Sequence, residues 1–411
     1  MSAFALFSLK APSLLACDQE RAEGNVHTID GIERVPCDTP RRELRDPVSP
    51  TVLRPVFKSS VRQLQRGKAL ASMAFRDGHS GLARDGTGYF ASPTRHWTSC
   101  RQQVHRNGSV TSAHPLLGAA LLHPARRAVI PLRPEPSVQP AGPGQNAGAR
   151  HAAKRFVATL RQDHPPRKCI VTADRLRAHA PPTETLPDHA VPSLLGVTAG
   201  EHALLCQPVQ VAAPAGRVTA DERPDRAAGV VHRLRCVTDR PLHASTPPVR
   251  VNVIEAGALG QHQVQHLSGV TDLRLRPRHV YHLRRGGRAR WKLEHATCTT
   301  RKNQGDTVEP TYGHGEPPLA VVCARLMRLA CWVDQAQPRG CALFPAVWAK
   351  LGSHRLLGER MRALCEDDAV QSMRQLLEPL LYGVTKRQPL LAVDSSGGPA
   401  LLWYGPPPKN P

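Results

Sequence analysis

The chain has 411 residues, enough for two or three ordinary domains, and 40% of them are hydrophobic. Only 7 Phe, 5 Tyr and 5 Trp are available to anchor a core, and 55 Lys and Arg against 33 Asp and Glu give a formal net charge of +22. With 39 Pro and 31 Gly at no fixed period, and no apolar window of about 18 residues, a collagen-like repeat, a long coiled coil and a multispan membrane protein are excluded.

The first residues, Ser2 to Leu9, are apolar, and Leu14-Leu15-Ala16-Cys17 has the form of a lipoprotein cleavage box. No Lys or Arg precedes the apolar stretch, Lys10 and Pro12 interrupt it, and Asp18 follows at once, so export anchored at Cys17 is not expected. Residues 18–60 are punctuated by Pro36, Pro40, Pro47, Pro50 and Pro55 and read as extended loop. The alignment of Val61, Leu64 and Leu70 predicts a helix over 61–74, and Asp77 to Gly88 reads as a glycine-rich turn. Residues 1–115 are thus expected to be an irregular N-terminal region. Residues 116–148 combine a short apolar patch with Pro131, Pro134, Pro136, Pro140 and Pro143, the composition of a linker.

A basic amphipathic helix is predicted from Ala149 to Arg161, with Ala152, Phe156, Val157 and Leu160 on one face. The rest of 149–316 is expected to be basic and mostly irregular, with Val230 to Val237 and Val249 to Ile254 as short isolated strands. Residues 317–382 carry the strongest pattern. Leu319 to Val333 reads as a buried helix, and Arg325 and Arg328 exclude it as a membrane span. Leu356, Leu357, Met361 and Leu364 suit a second helix. Val370, Met373, Leu376 and Leu377 suit a third, capped by Asp367 or Asp368 and closed before Pro379. The expected fold class is therefore a largely irregular chain with short helices, a small C-terminal helical bundle, few isolated strands and a Pro-rich tail over 383–411.

Motifs that carry chemistry fail on context. Gly78-His79-Ser80-Gly81 lacks both the closing glycine of a nucleophile elbow, where Leu82 stands, and an apolar strand before it. Gly142-Pro143-Gly144-Gln145-Asn146-Ala147 fits a loose dinucleotide fingerprint, but Pro134, Pro136 and Pro140 deny it the preceding strand. His262 and His266 share a helical spacing with no third ligand in step. The 11 cysteines are irregularly spaced and contain no C-x-x-C, which fits reduced thiols in a cytosolic setting. No catalytic residue, metal or cofactor is assigned.

One segment invites a ligand. From Arg274 to Lys292 the chain holds Arg274, Arg276, Arg278, Arg284, Arg285, Arg288, Arg290 and Lys292, with Tyr281 and Trp291 between them and no acid. Guanidinium groups neutralise phosphates and aromatic rings stack on bases, so these ten residues are the candidate nucleic-acid contacts. The competing reading is a solvated Arg-rich loop. It draws on composition: 45 of the 55 cations are Arg, and abundant Pro and Gly accompany only 5 Ile, the skew of GC-rich codons. Three functional readings follow. The chain is a GC-rich reading frame with no assignable biochemical function, a basic nucleic-acid-binding protein, or an enzyme whose site residues are dispersed along the sequence. A cooperative fold and salt-sensitive oligonucleotide binding are the observations that separate them.

Overall fold

In the computed structural model the described residues are 4, 7–8, 48–93, 101–137, 147–173, 191–197, 219–225, 230–242, 250–259, 264–294, 317–367 and 372–383. Their frame is a twelve-stranded mixed sheet. Its strands are β1 (Ala74–Arg76), β2 (His79–Ser92), β3 (Arg101–Val104), β4 (Val110–Leu122), β5 (Val129–Pro131), β6 (Glu135–Pro136), β7 (Cys169–Ala173), β8 (Ser193–Val197), β9 (Thr219–Asp225), β10 (Val230–Pro241), β11 (Arg250–Leu259) and β12 (Val264–Thr271). The main order is β3-β4-β2-β7-β8-β12-β11-β10-β9, with β1 on β2 and β5 and β6 on β4. Pairing is antiparallel except where β7 runs parallel to both β2 and β8. The expectation of a largely irregular chain with a few isolated strands is overturned: this is an α/β fold.

The strands were hidden for physical reasons. β2 follows a two-residue turn in which Asp77 (φ 46°) and Gly78 (φ 75°) both take the left-handed conformation, as a type I′ hairpin requires. The glycine-rich stretch after that turn is held extended by ladders on both sides, from β4 and from β7. Leu82 and Ala83 are successive residues and both fully buried, so the central strand has apolar neighbours on both faces and no alternation to read. Ile170, Val171 and Thr172 in β7 behave in the same way. Three prolines sit where a ladder tolerates them: Pro131 and Pro136 on the short outer strands β5 and β6, and Pro224 on the edge strand β9. Most of the stretch 116–136, read from composition as linker, therefore runs in strands.

The helices are α1 (Arg54–Arg66), α2 (Ala147–Asp163), α3 (Pro277–Arg288), α4 (Trp291–Glu294), α5 (Pro317–Gly340), α6 (Leu343–Leu351), α7 (His354–Asp367) and α8 (Met373–Tyr382). The helix expected over 61–74 is displaced, because α1 ends at Arg66 and β1 begins at Ala74. One sheet face carries a core of Leu82, Leu117, Leu121 and Ile130 with Val61 of α1, Phe156 and Val157 of α2, and Trp332 of α5. On the opposite face Val280 and Leu283 of α3 pack on Ile170, Leu194, Leu234 and Ile254. Burying each such side chain stabilises by about 1.5–3 kcal/mol.

The C-terminal bundle differs in membership from the expected one. Phe344, Val347, Leu357, Met361, Leu377 and Leu380 unite α6, α7 and α8, whereas α5 belongs to the sheet. The cap of α8 is Ser372, whose Oγ accepts from Gln375 N at 3.4 Å, and the helix passes through Pro379 to Tyr382. Arg325 of α5 is 3% exposed and donates from Nη1 to the Pro50 carbonyl, and burial pushes its guanidinium down to about 10. Among the described residues no helix is long and apolar enough to cross a membrane.

Candidate functional site

Pro277 opens α3 at a position where its missing N–H costs nothing. Arg285, Gly286 and Gly287 then form the last turns of this helix, not a solvated loop. A Cβ on Gly286 would lie 3.0 Å from Phe75 Cζ, and one on Gly287 would lie 3.4 Å from Leu194 Cδ2. The glycines thus let the helix settle on the sheet.

That seating divides the ten candidate residues. Arg274 and Arg276 are exposed ahead of the helix, and the Arg274 carbonyl accepts from Arg76 Nη2 at 3.1 Å. Arg278 lies in the first turn of α3. The Tyr281 ring is flanked by two guanidinium groups, Arg223 at 5.5 Å and Arg285 at 5.9 Å. Arg284 is buried beneath the helix, and Arg288 is exposed. Arg290 pairs with Glu294 at 2.5 Å. Trp291 is 47% exposed. Lys292 is committed elsewhere: its Nζ donates to the carbonyls of His123 (3.0 Å), Pro124 (2.7 Å) and Arg126 (3.1 Å). No single phosphate-tracking strip results.

What the fold does assemble is a cleft of about 1220 Å³ beside Trp291. Its cations come from four places in the chain: Lys68 after α1, Arg126 and Arg127 between β4 and β5, Lys292 in α4, and Arg339 at the end of α5. Asp334 is the one carboxylate among the described lining residues. Lys68, Arg126 and Arg127 are exposed. Lys68 takes φ 56°, a conformation that L residues other than Asn and Asp seldom adopt. Arg339 donates weakly to Ala69 O (3.5 Å) and Ser72 Oγ (3.4 Å), while burial and then Arg126 lower its pKa. Trp291 and Trp348 supply aromatic surface, and the Trp348 ring is backed by the buried Phe344 at 6.4 Å, nearly parallel. The accumulated charge reaches His123, whose pKa is lowered by burial first and then by Arg126, Lys292 and Arg285.

Of this cleft, the sequence exposed only Trp291 and Lys292. Lys68, Arg126, Arg127 and Arg339 are scattered cations in an arginine-rich chain, and nothing local marks them. A second, smaller cavity of about 220 Å³ lies between α3 and strands β8 and β12, with Arg284, Arg288, Arg290 and Trp291 in its lining.

The rejected motifs have structural roles or fall outside the described residues. Ser80 is 1% exposed and its Oγ accepts from Arg167 Nη2 at 2.7 Å, so it closes a packed hairpin and meets no substrate. His266 is on strand β12, not a helix, and His262, residues 142–146 and Cys17 lie outside the described residues. Burial pushes the Cys169 thiol up to about 11, which keeps it un-ionised and unreactive. Among the described residues no group of three or more His, Cys, Asp or Glu could hold a metal ion. No protein family and no curated protein matches the chain.

Proposed function

We propose that the chain binds single-stranded nucleic acid across the cleft formed by Lys68, Arg126, Arg127, Arg339, Trp291 and Trp348. The observation that carries this reading is the charge balance of that cleft: five cations and one carboxylate line it among the described residues. Like charges gathered from distant parts of a chain repel each other and favour a polyanionic partner. Exposed tryptophan adds a stacking surface that single strands offer bases to and duplexes do not. Lys292 contributes to the field, but its three carbonyl partners make it a fixture of the wall. Arg339 is partly occupied in the same way. Lys68, Arg126 and Arg127 remain to meet phosphates directly.

Fluorescence anisotropy with a labelled oligothymidylate, recorded across a salt series, tests this. Three phosphate contacts on a single strand give a slope of log K against log salt of about −2. Trp291→Ala should weaken binding by about 1–3 kcal/mol at every salt concentration, and Arg127→Ala should lower the slope by about 0.7. An affinity indifferent to salt, or equal for Trp291→Ala and wild type, overturns the proposal. In that outcome the reading of a GC-rich frame without a selected function regains its place.

A further inference from the structure

We infer that the 220 Å³ cavity between the C-terminal half of α3 and strands β8 and β12 is a binding site for a small organic phosphate, adjoining the open cleft at Trp291.

The first ground is a charge without an answer. Arg284 is 6% exposed, lines the cavity, and its Nε has no hydrogen-bond partner. No carboxylate is among the cavity's described lining residues. A buried guanidinium is costly unless it is paired, and an anionic ligand is the partner this geometry admits. Two further guanidinium-bearing residues, Arg288 and Arg290, line the same space. Arg290 pairs with Glu294, which leaves Arg284 as the guanidinium the cavity offers an anion.

The second ground is shape. Gly196 of β8 and Gly269 of β12 are register partners on neighbouring strands, and both line the cavity. A Cβ on Gly269 would fall 3.2 Å from the Leu195 carbonyl, so glycine there keeps this wall of the cavity low. Ser268 adds a hydroxyl beside it, and Leu194, Ile254 and Leu283 make the remaining wall apolar. The volume is below the usual range for drug-sized ligands, about 300–1,000 Å³. A phosphoryl head on a compact apolar body fits; a polymer does not. Arginine forks match phosphate oxygens in pairs, which favours phosphate over a single carboxylate.

The test uses the full chain with inorganic phosphate, phenyl phosphate and benzoate, read by calorimetry and by thermal melting. Phenyl phosphate should bind about tenfold or more tightly than either inorganic phosphate or benzoate and should raise the melting temperature. Arg284→Met keeps the length of the buried stem and removes the charge. It should weaken phenyl phosphate binding at least about tenfold while melting, without ligand, no lower than wild type. A purely structural arginine would lower the melting temperature instead. Arg288→Gln, at an exposed position, should weaken binding by about threefold or more and keeps the test decisive if Arg284→Met does not fold. Absence of heat and of thermal shift at about 10 mM phenyl phosphate overturns the inference, as does wild-type affinity in either folded variant. Because these probes are small molecules, failure of oligonucleotide binding would leave this result untouched.

Discussion

Lys292 separates a wall residue from a phosphate contact, and Lys292→Met puts that to a quantitative test. The substitution keeps most of the aliphatic stem and removes three charge-assisted hydrogen bonds, to the carbonyls of His123, Pro124 and Arg126. Bonds to charged groups are worth about 1.5–3 kcal/mol each when isolated. Lys292 is half-buried, the Arg126 end of the turn is exposed, and water takes over part of the loss. A net cost of about 2–3 kcal/mol is the reasonable figure after that discount. For a folded unit of this size, that corresponds to a fall in Tm of about 4–6 °C. The assay is thermal unfolding by circular dichroism beside oligonucleotide binding at two salt concentrations. The expected variant is less stable, and it binds more weakly because the turn carrying Arg126 and Arg127 loosens, yet its salt slope stays near the wild-type value. An unchanged Tm together with a slope reduced by about 0.7 would refute the assignment and make Lys292 a direct phosphate contact.

Three further outcomes follow from the core and its charges. Gly81→Ala should destabilise by about 1–2 kcal/mol in denaturant unfolding, since a Cβ there falls 2.7 Å from Leu122 Cδ1 and 3.1 Å from the Leu122 carbonyl, which outweighs the usual gain of replacing a strand glycine. Leu283→Ala, at a fully buried position between α3 and the sheet, should cost about 2–5 kcal/mol and loosen the helix that carries Arg284 and Arg288. Stability should also fall in two steps on acidification. Burial, followed by Lys58, Arg62 and Arg167, outweighs Asp163 and holds His164 below its ordinary 6.5, so the unfolded chain takes that proton first and stability declines as pH drops through 6.5. Burial alone would raise the Asp163 carboxyl, but its bonds to Arg54 and its proximity to Lys58 hold it below 3.8, and that contribution is lost below about pH 4. A pH titration of Tm for His164→Leu should show a smaller first step, with His123 keeping its share, and retain the second.

How far the fold was legible depends on how local its signals are. The 3.6-residue period of Ala152, Phe156, Val157 and Leu160 marks α2, and that of Leu376 and Leu377 with Met373 marks α8, because one face of each helix meets a core and the other meets water. The sheet gave no such contrast. Leu82 and Ala83 are buried together, β2 is rich in glycine, and the prolines of β5 and β6 imitate a linker. Each would be a loop in isolation and is a strand because neighbours supply its hydrogen bonds, β4 and β7 for β2 and β4 alone for β5 and β6.

The candidate sites divide along the same line. By itself the sequence determined the basic excess, its concentration in residues 274–292, the helical periods and the absence of any spaced metal or nucleophile motif, since all of these are properties of neighbouring residues. Tertiary structure alone decided which arginines are buried, which are paired and which face a cleft. Lys68, Arg126 and Arg339 meet only because α1, the β4–β5 turn and α5 converge on the same side of the sheet, and Arg284 loses its water only because Gly286 and Gly287 bring α3 down onto Phe75 and Leu194. Charge is written residue by residue, whereas desolvation belongs to the packed whole.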